Sequence, residues 1–248
     1  MLYRHLAQHL DADRPIYGLQ SHGLDGKSSP DRTIKEMASR YLKEIVALQP
    51  KGPYLVGGYC LGGTIALELA QQLTSVGEKV ELVILLETYN PRLVSRKMAN
   101  MLSPLHKLQN LWFHTANVAS LADKDRRRFL IEKLDTEWTR LSIRLQAISQ
   151  FFSLADKRDE VASYPHLKIK QANDQANFDY VPQLYKGRVA VIRPKGCFAG
   201  ETDPSLGWSN IIPNGLEIYD LPVYPRGILI EPFCRVLAQS LKLCLEKI

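Results

Sequence analysis

Cysteine is scarce in this chain of 248 residues: there are four, Cys60, Cys197, Cys234 and Cys244, far apart and without a C-x-x-C pair. That spacing argues against a disulfide framework and against a zinc site, so no metal is expected. No apolar run approaches the ~20 residues needed to cross a bilayer. The first ten residues, Met1 to Leu10, form an amphipathic helical pattern rather than a signal peptide, and a cytoplasmic protein with no membrane partner is the default expectation. Aromatic residues interleaved with basic ones are also missing. The formal charge of +6 is gathered in pieces such as Lys124-Asp125-Arg126-Arg127-Arg128 and Lys168-Ile169-Lys170. These read as solvated helix faces, so nucleic acid is not expected, and a weak attraction for an acidic protein partner fits better. Repeats, low-complexity segments and linkers are absent too. With 45% hydrophobic residues, the chain suits a single domain over residues 1–248.

The most informative stretch is Tyr54-Leu55-Val56-Gly57-Gly58-Tyr59-Cys60-Leu61-Gly62-Gly63, running directly into Thr64 to Leu73. A short apolar run, glycines around one cysteine, and then helical spacing predict strand, tight turn and helix. Gly58-x-Cys60-x-Gly62 is the nucleophile-elbow pattern G-x-S-x-G with sulfur in place of the hydroxyl. The central residue of such a bend is strained, and side chains two positions either way collide with strand or helix, which calls for glycine. The field at the helix N-terminus favours a thiolate, and the N–H of Leu61 faces a developing oxyanion. A phosphate-binding turn is the competing reading, but the Lys and Ser/Thr of a P-loop are missing, as is dinucleotide-fingerprint spacing. A buried, inert cysteine is the other.

Taken in order, residues 2–10 read as a short helix, 14–20 as a strand, and 28–31 as a turn. Thr33 to Leu48 carries one apolar stripe with Thr33-x-x-Glu36 as a capping box. Gln49 to Pro53 leads into the elbow strand. Gly77 ends the elbow helix, and Val80 to Leu86 is a buried strand that delivers Glu87 at its carboxyl tip. Residues 92 to about 155 show helical spacing with no strand signal, and read as a lid, about 92–175, inserted in the core. Strands resume at 187–192 and 216–221, and an amphipathic helix runs from about 232 to 247. This alternation predicts an α/β fold: a mainly parallel sheet with helices on both faces and a helical lid insertion. Ligands of such sheets sit beyond the carboxyl ends of the strands, where Cys60 and Glu87 both fall.

Several stretches together resemble the thioesterase domains that end polyketide synthase and nonribosomal peptide synthetase assembly lines, which have the α/β-hydrolase fold. They are Tyr17-Gly18-Leu19-Gln20 with Gly23-Leu24-Asp25-Gly26; Gln49-Pro50 with Gly52-Pro53-Tyr54; Gly57 to Gly63; Leu85-Leu86-Glu87-Thr88-Tyr89-Asn90-Pro91; Asn110-Leu111-Trp112-Phe113-His114; Tyr180-Val181-Pro182 with Tyr185-x-Gly187-Arg188-Val189; Leu206-Gly207-Trp208; and Glu231-Pro232. The resemblance spans nearly the whole chain. It implies cleavage of an acyl or peptidyl chain from the phosphopantetheine arm of a carrier protein through an acyl-enzyme, with no cofactor bound by the domain itself. Cys60 matches the nucleophile, Glu87 stands where the family usually has Asp, and Leu61 N–H matches the oxyanion donor.

Two departures qualify it. The family's closing motif, roughly V-P-G-D-H-G-S-M-L-x-E-P, has Leu221-Pro222-Val223-Tyr224-Pro225-Arg226-Gly227-Ile228-Leu229-Ile230-Glu231-Pro232 as its counterpart, and Pro225 takes the place of the catalytic His. Without that imidazole the proton shuttle is missing. His22, after the first strand, lies on the same edge as a candidate substitute base. The sequence also begins inside the helix that in the family follows a further strand and an H-G-x-G-G-like oxyanion loop. Three arrangements follow as alternatives: an upstream segment completes the sheet, another segment or an oligomer partner does, or the fold is rearranged. Two functions follow as alternatives: a thioesterase working through acyl-Cys60, and a degenerate domain that binds a carrier protein or acyl chain without turnover. Ester or lactone hydrolysis on the same fold is a third.

Overall fold

The computed structural model describes residues 3–10, 14–95, 104–134, 138, 165–196, 203–225 and 227–248. Four parallel strands make the sheet: β1 (Tyr54–Tyr59), β2 (Val80–Leu86), β3 (Val189–Pro194) and β4 (Leu216–Leu221), in the spatial order β1-β2-β3-β4. Around it lie α1 (Arg4–His9), α2 (Ile34–Leu48), α3 (Leu61–Ser75), α4 (Pro91–Ser95), α5 (Pro104–Ala119), α6 (residues 123–134), α7 (Pro165–Asp179) and α8 (Phe233–Leu245).

The side-chain alternation of the two central strands explains the layers. Val83 and Leu85 of β2, with Val189 and Val191 of β3, enter a core shared with Leu67, Leu69 and Leu73 of α3. The intervening Leu82, Leu86, Ala190 and Ile192 face the opposite side, where Leu6 of α1, Phe129 of α6 and Phe233, Leu237 and Leu241 of α8 cover them. A period of two buried on both faces is what a parallel sheet with helices on each side demands. This bears out the α/β-hydrolase-like arrangement expected from the sequence.

Local signals set the boundaries. Thr33 and Glu36 form a reciprocal capping box at the start of α2, satisfying two N–H groups that the first turn would leave open. After α3 the chain reverses at Gly77, φ +87, and Glu78 N–H closes on Leu73 O at 3.0 Å. A left-handed residue there suits glycine.

The expected strand over 14–20 does not form. Residues 15–20 have no regular structure, and Ile16, Tyr17 and Leu19 are exposed. The segment is β-prone in composition, but a strand exists only by pairing, and no described strand lies alongside it. The helical block between β2 and β3 is present as α4, α5 and α6, while the part of the expected lid over 96–103, 135–137 and 139–164 lies outside the described residues. Its last piece, α7, packs against the body instead: Ala176 and the following Tyr180 join Ile34 and Met37 of α2 in a small core. Tyr180 donates its hydroxyl to buried Glu68 of α3 at 2.7 Å. Burial, with Glu68 beside it, pushes the Tyr180 phenol well above its usual pKa, so this buried link stays protonated.

Candidate active site

Three of the loops that leave the carboxyl edge of the sheet carry the expected site positions: Cys60 after β1, Glu87 after β2, and residues 222–225 after β4. Cys60 is exposed, with φ +52 and ψ −118, and α3 begins at the next residue. The bend is held from both sides, since Cys60 N–H bonds Leu86 O at 2.9 Å and Cys60 O accepts Gly63 N–H at 3.0 Å. Gly58 and Gly63 are steric necessities, whereas Gly62, which the pattern also called for as glycine, has among the described residues only the Tyr3 hydroxyl near its would-be Cβ, at 3.2 Å. A Cβ on Gly58 would lie 2.2 Å from the carbonyl carbon of Gly62, and one on Gly63 would lie 2.1 Å from Thr88 Oγ1. The second contact also shows that the elbow and the loop carrying Glu87 are packed directly together.

Glu87 is likewise a non-glycine residue with positive φ, +43, and is buried at 5% exposure. Its Oε2 accepts the Tyr59 hydroxyl at 3.2 Å, so the residue before the cysteine reaches across to the next strand's tip. The loop is braced from behind: Trp208, fully buried, donates its indole N–H to Thr88 O at 2.8 Å, and Asn90 bonds Leu206 O and Gly207 O through its backbone and side-chain N–H groups. Gly207, φ +86, sits where a Cβ would be 2.7 Å from Leu93 Cδ1. Cys60, Glu87 and Leu206 are the non-glycine residues with positive φ among the described residues, and the surrounding hydrogen bonds and packing hold the first two in that strained conformation.

The third loop carries Pro225 in the place the resemblance gives to histidine. Pro225 is buried, and the preceding Tyr224 is locked in place. Asn117 of α5 accepts Tyr224 N–H at 2.9 Å and donates to Tyr224 O at 3.3 Å, while the ring stacks on Phe113 with centroids 5.9 Å apart and meets Trp112 edge-on at 5.0 Å. His22 lies in the loop before α2. Its Nδ1 bonds Ser29 O at 3.0 Å, and it shares a shallow depression with Asp25, Arg40 and Glu44. His5 faces Glu132 at 3.2 Å, and His9 pairs with buried Glu231. The structure therefore brings Cys60, Leu61 and Glu87 to one edge and places His22 with Ser29 and Asp25 in the loop before α2. Sequence reasoning missed Tyr59, whose place inside the G-x-C-x-G pattern was its only signal, and Tyr3, which carried none.

A family model described as a thioesterase domain matches residues 1–166. The chain belongs to the thioesterase domain family. Indigoidine synthase of Dickeya dadantii (strain 3937) is 43% identical over 101 residues, covering 41% of this chain and 7% of that protein. The dimodular nonribosomal peptide synthase of Bacillus subtilis (strain 168) is 40% identical over 87 residues, covering 35% of this chain and 4% of that protein. The match with this chain thus spans less than a tenth of the length of either relative. Among solved structures, the NocB thioesterase domain from the nocardicin cluster superposes with a TM-score of 0.64 at 20% identity, over 99% of this chain and 87% of that one. The four-domain nonribosomal peptide synthetase AB3403 gives 0.67 at 24% identity, over 98% of this chain and 18% of that one. At these identities the likeness establishes a shared fold. No helix among the described residues is long and apolar enough to cross a membrane.

Proposed function

We propose that this thioesterase domain takes an acyl or peptidyl chain from the phosphopantetheine thioester of a carrier protein onto Cys60, and then releases it or passes it to an acceptor. The observation that carries the reading is the exposed cysteine at φ +52, strained and seated immediately before α3. In the first step Cys60 Sγ bonds to the carbonyl carbon, and the carbonyl electron pair moves onto oxygen, where Leu61 N–H meets it. Collapse expels the pantetheine thiolate, which takes a proton from solvent. Exchange of one thioester for another depends little on a base, because thiol and leaving group are alike. The pantetheine arm enters as part of the substrate, and the partner is a carrier protein, in keeping with relatives named as synthases of nonribosomal peptides and polyketides.

Hydrolysis of acyl-Cys60 is a harder step, since water must lose a proton. Pro225, buried where the family has its imidazole, supports slow deacylation. With an acyl-pantetheine thioester, a burst of pantetheine thiol equal to the enzyme, followed by a slow phase, is expected. The second reading, a binding domain without turnover, is favoured by the same Pro225. A linear, many-turnover release without a burst contradicts slow deacylation, and thiol release by Cys60→Ala equal to that of the parent contradicts the acyl-Cys route altogether.

A further inference from the structure

Tyr3 stands immediately before α1, and its side chain reaches the elbow. The hydroxyl oxygen accepts Tyr59 N–H at 2.8 Å, and among the described residues outside the helix's own backbone it is the one atom within 4 Å of where a Cβ on Gly62 would lie, at 3.2 Å. Tyr59 precedes Cys60 and Gly62 follows it by two, so one phenol oxygen spans both flanks of the bend. The direction of the Tyr59 N–H explains the contact. Cys60 N–H points into the sheet, to Leu86 O, and successive strand residues alternate, so Tyr59 N–H leaves β1 on the side away from β2. There it meets Tyr3.

A phenol oxygen that accepts one N–H still has its own O–H to donate. Among the described residues that proton has no hydrogen-bond acceptor. Burial raises the Tyr3 pKa, Tyr59 N–H partly offsets this, and the neighbouring Cys60 adds to it, so the proton is retained at neutral pH. The placement is fixed from further along α1, where Leu6 is buried against α8 and His9 pairs with Glu231.

We propose that the Tyr3 hydroxyl is a catalytic residue, the second donor to the oxyanion that forms as Cys60 attacks its thioester, acting beside Leu61 N–H. This rests on the acyl-Cys60 reading. No proton is transferred: the oxyanion accepts two hydrogen bonds, and both relax when the carbonyl re-forms and the pantetheine thiolate departs.

The test compares two reactions of Cys60 in the full chain and in Tyr3→Phe. Acylation by an acyl-pantetheine thioester passes through an oxyanion, whereas alkylation by iodoacetamide does not. Loss of one such donor lowers acylation by about 10²–10³-fold, with alkylation unchanged. Equal acylation, or a parallel fall in both reactions, overturns the Tyr3 assignment. If the parent itself never acylates, the acyl-Cys reading fails and takes this assignment with it, an outcome visible before any variant is made. Replacing Tyr3 by a difluorotyrosine keeps ring, hydroxyl and the Tyr59 contact while making the phenol more acidic. Acylation by that variant falls at a lower pH than in the parent, and an unshifted profile overturns the assignment even if Tyr3→Phe folds poorly.

Discussion

Gly58→Ala puts a methyl group where the elbow has no room. The added carbon would sit 2.2 Å from Gly62 C, 2.3 Å from Gly62 O and 2.7 Å from Gly63 N. Ordinary carbon contacts lie at about 3.5–4.0 Å. All three atoms are backbone in the first turn of α3, so no side chain can rotate aside and the helix start must move. Overpacking of this kind costs about 1–3 kcal/mol, and contacts this short belong at the upper end. A chain of this size shifts by about 2–4 °C per kcal/mol, giving a fall in Tm of roughly 6–12 °C. The same displacement swings Leu61 N–H away from the oxyanion, so acylation of Cys60 falls more than stability alone requires. Gly62→Ala is the internal control, because among the described residues its Cβ meets only the Tyr3 hydroxyl, at 3.2 Å, on the end of a movable ring. Its Tm stays within about 2 °C of the parent, under 1 kcal/mol, while acylation still drops as the phenol is pushed aside. Thermal melts and rates of adduct formation on both variants decide the matter. A Gly58→Ala protein that melts and acylates like the parent refutes the steric reading of the elbow.

Cys60→Gly removes the strain of a side chain at φ +52, worth about 1–3 kcal/mol. The greater freedom of glycine in the unfolded chain offsets about 0.4–1 kcal/mol of that. The glycine variant is therefore expected to melt a few degrees above Cys60→Ala, which keeps the strain, and an equal or lower Tm counts against a strained nucleophile. Among the described cysteines, iodoacetamide at pH 8 should modify exposed Cys60 far ahead of Cys234, whose thiol burial pushes up to about 12, and of buried Cys244; peptide mapping reads the order. Glu217 is held down to about 2 by the Tyr219 hydroxyl and Arg188, with Lys247 adding. Its contribution to stability is complete above the ordinary value of 4.5 and is lost as pH falls from there toward 2. Glu217→Gln should flatten the dependence of Tm on pH in that window and leave its slope above pH 6 unchanged.

The sheet and the elbow were legible because local rules and tertiary demands agree there. Val83, Leu85, Val189 and Val191 alternate with Leu82, Leu86, Ala190 and Ile192, and Thr33 and Glu36 announce their own helix start. Gly58 was readable as a glycine that a sharp strand-to-helix bend requires, and the contact at 2.2 Å supplies the reason; Gly62, read the same way, has room for a Cβ, and the tight contact at 2.1 Å falls to Gly63 instead. Arg14 to Gln20 misled because Ile16, Tyr17 and Leu19 have strand composition, whereas strand formation depends on a neighbour that composition does not reveal. The attachment of α7 to the body was hidden because few of its side chains are buried, Ile169 and Ala176 among them, too narrow a stripe to read against its charges. Tyr3 was invisible for another reason: its contact with Tyr59 spans 56 positions, and nothing in a helix-leading tyrosine tells which backbone group its hydroxyl will find.

Intact-mass measurement of the parent after brief exposure to an acyl-pantetheine thioester, followed by peptide mapping, tests the account at its centre. One acyl group per chain, located on Cys60 and absent from Cys60→Ala, is the expected result. An unmodified parent under conditions where iodoacetamide labels Cys60 readily, or an acyl group found on another residue, contradicts it.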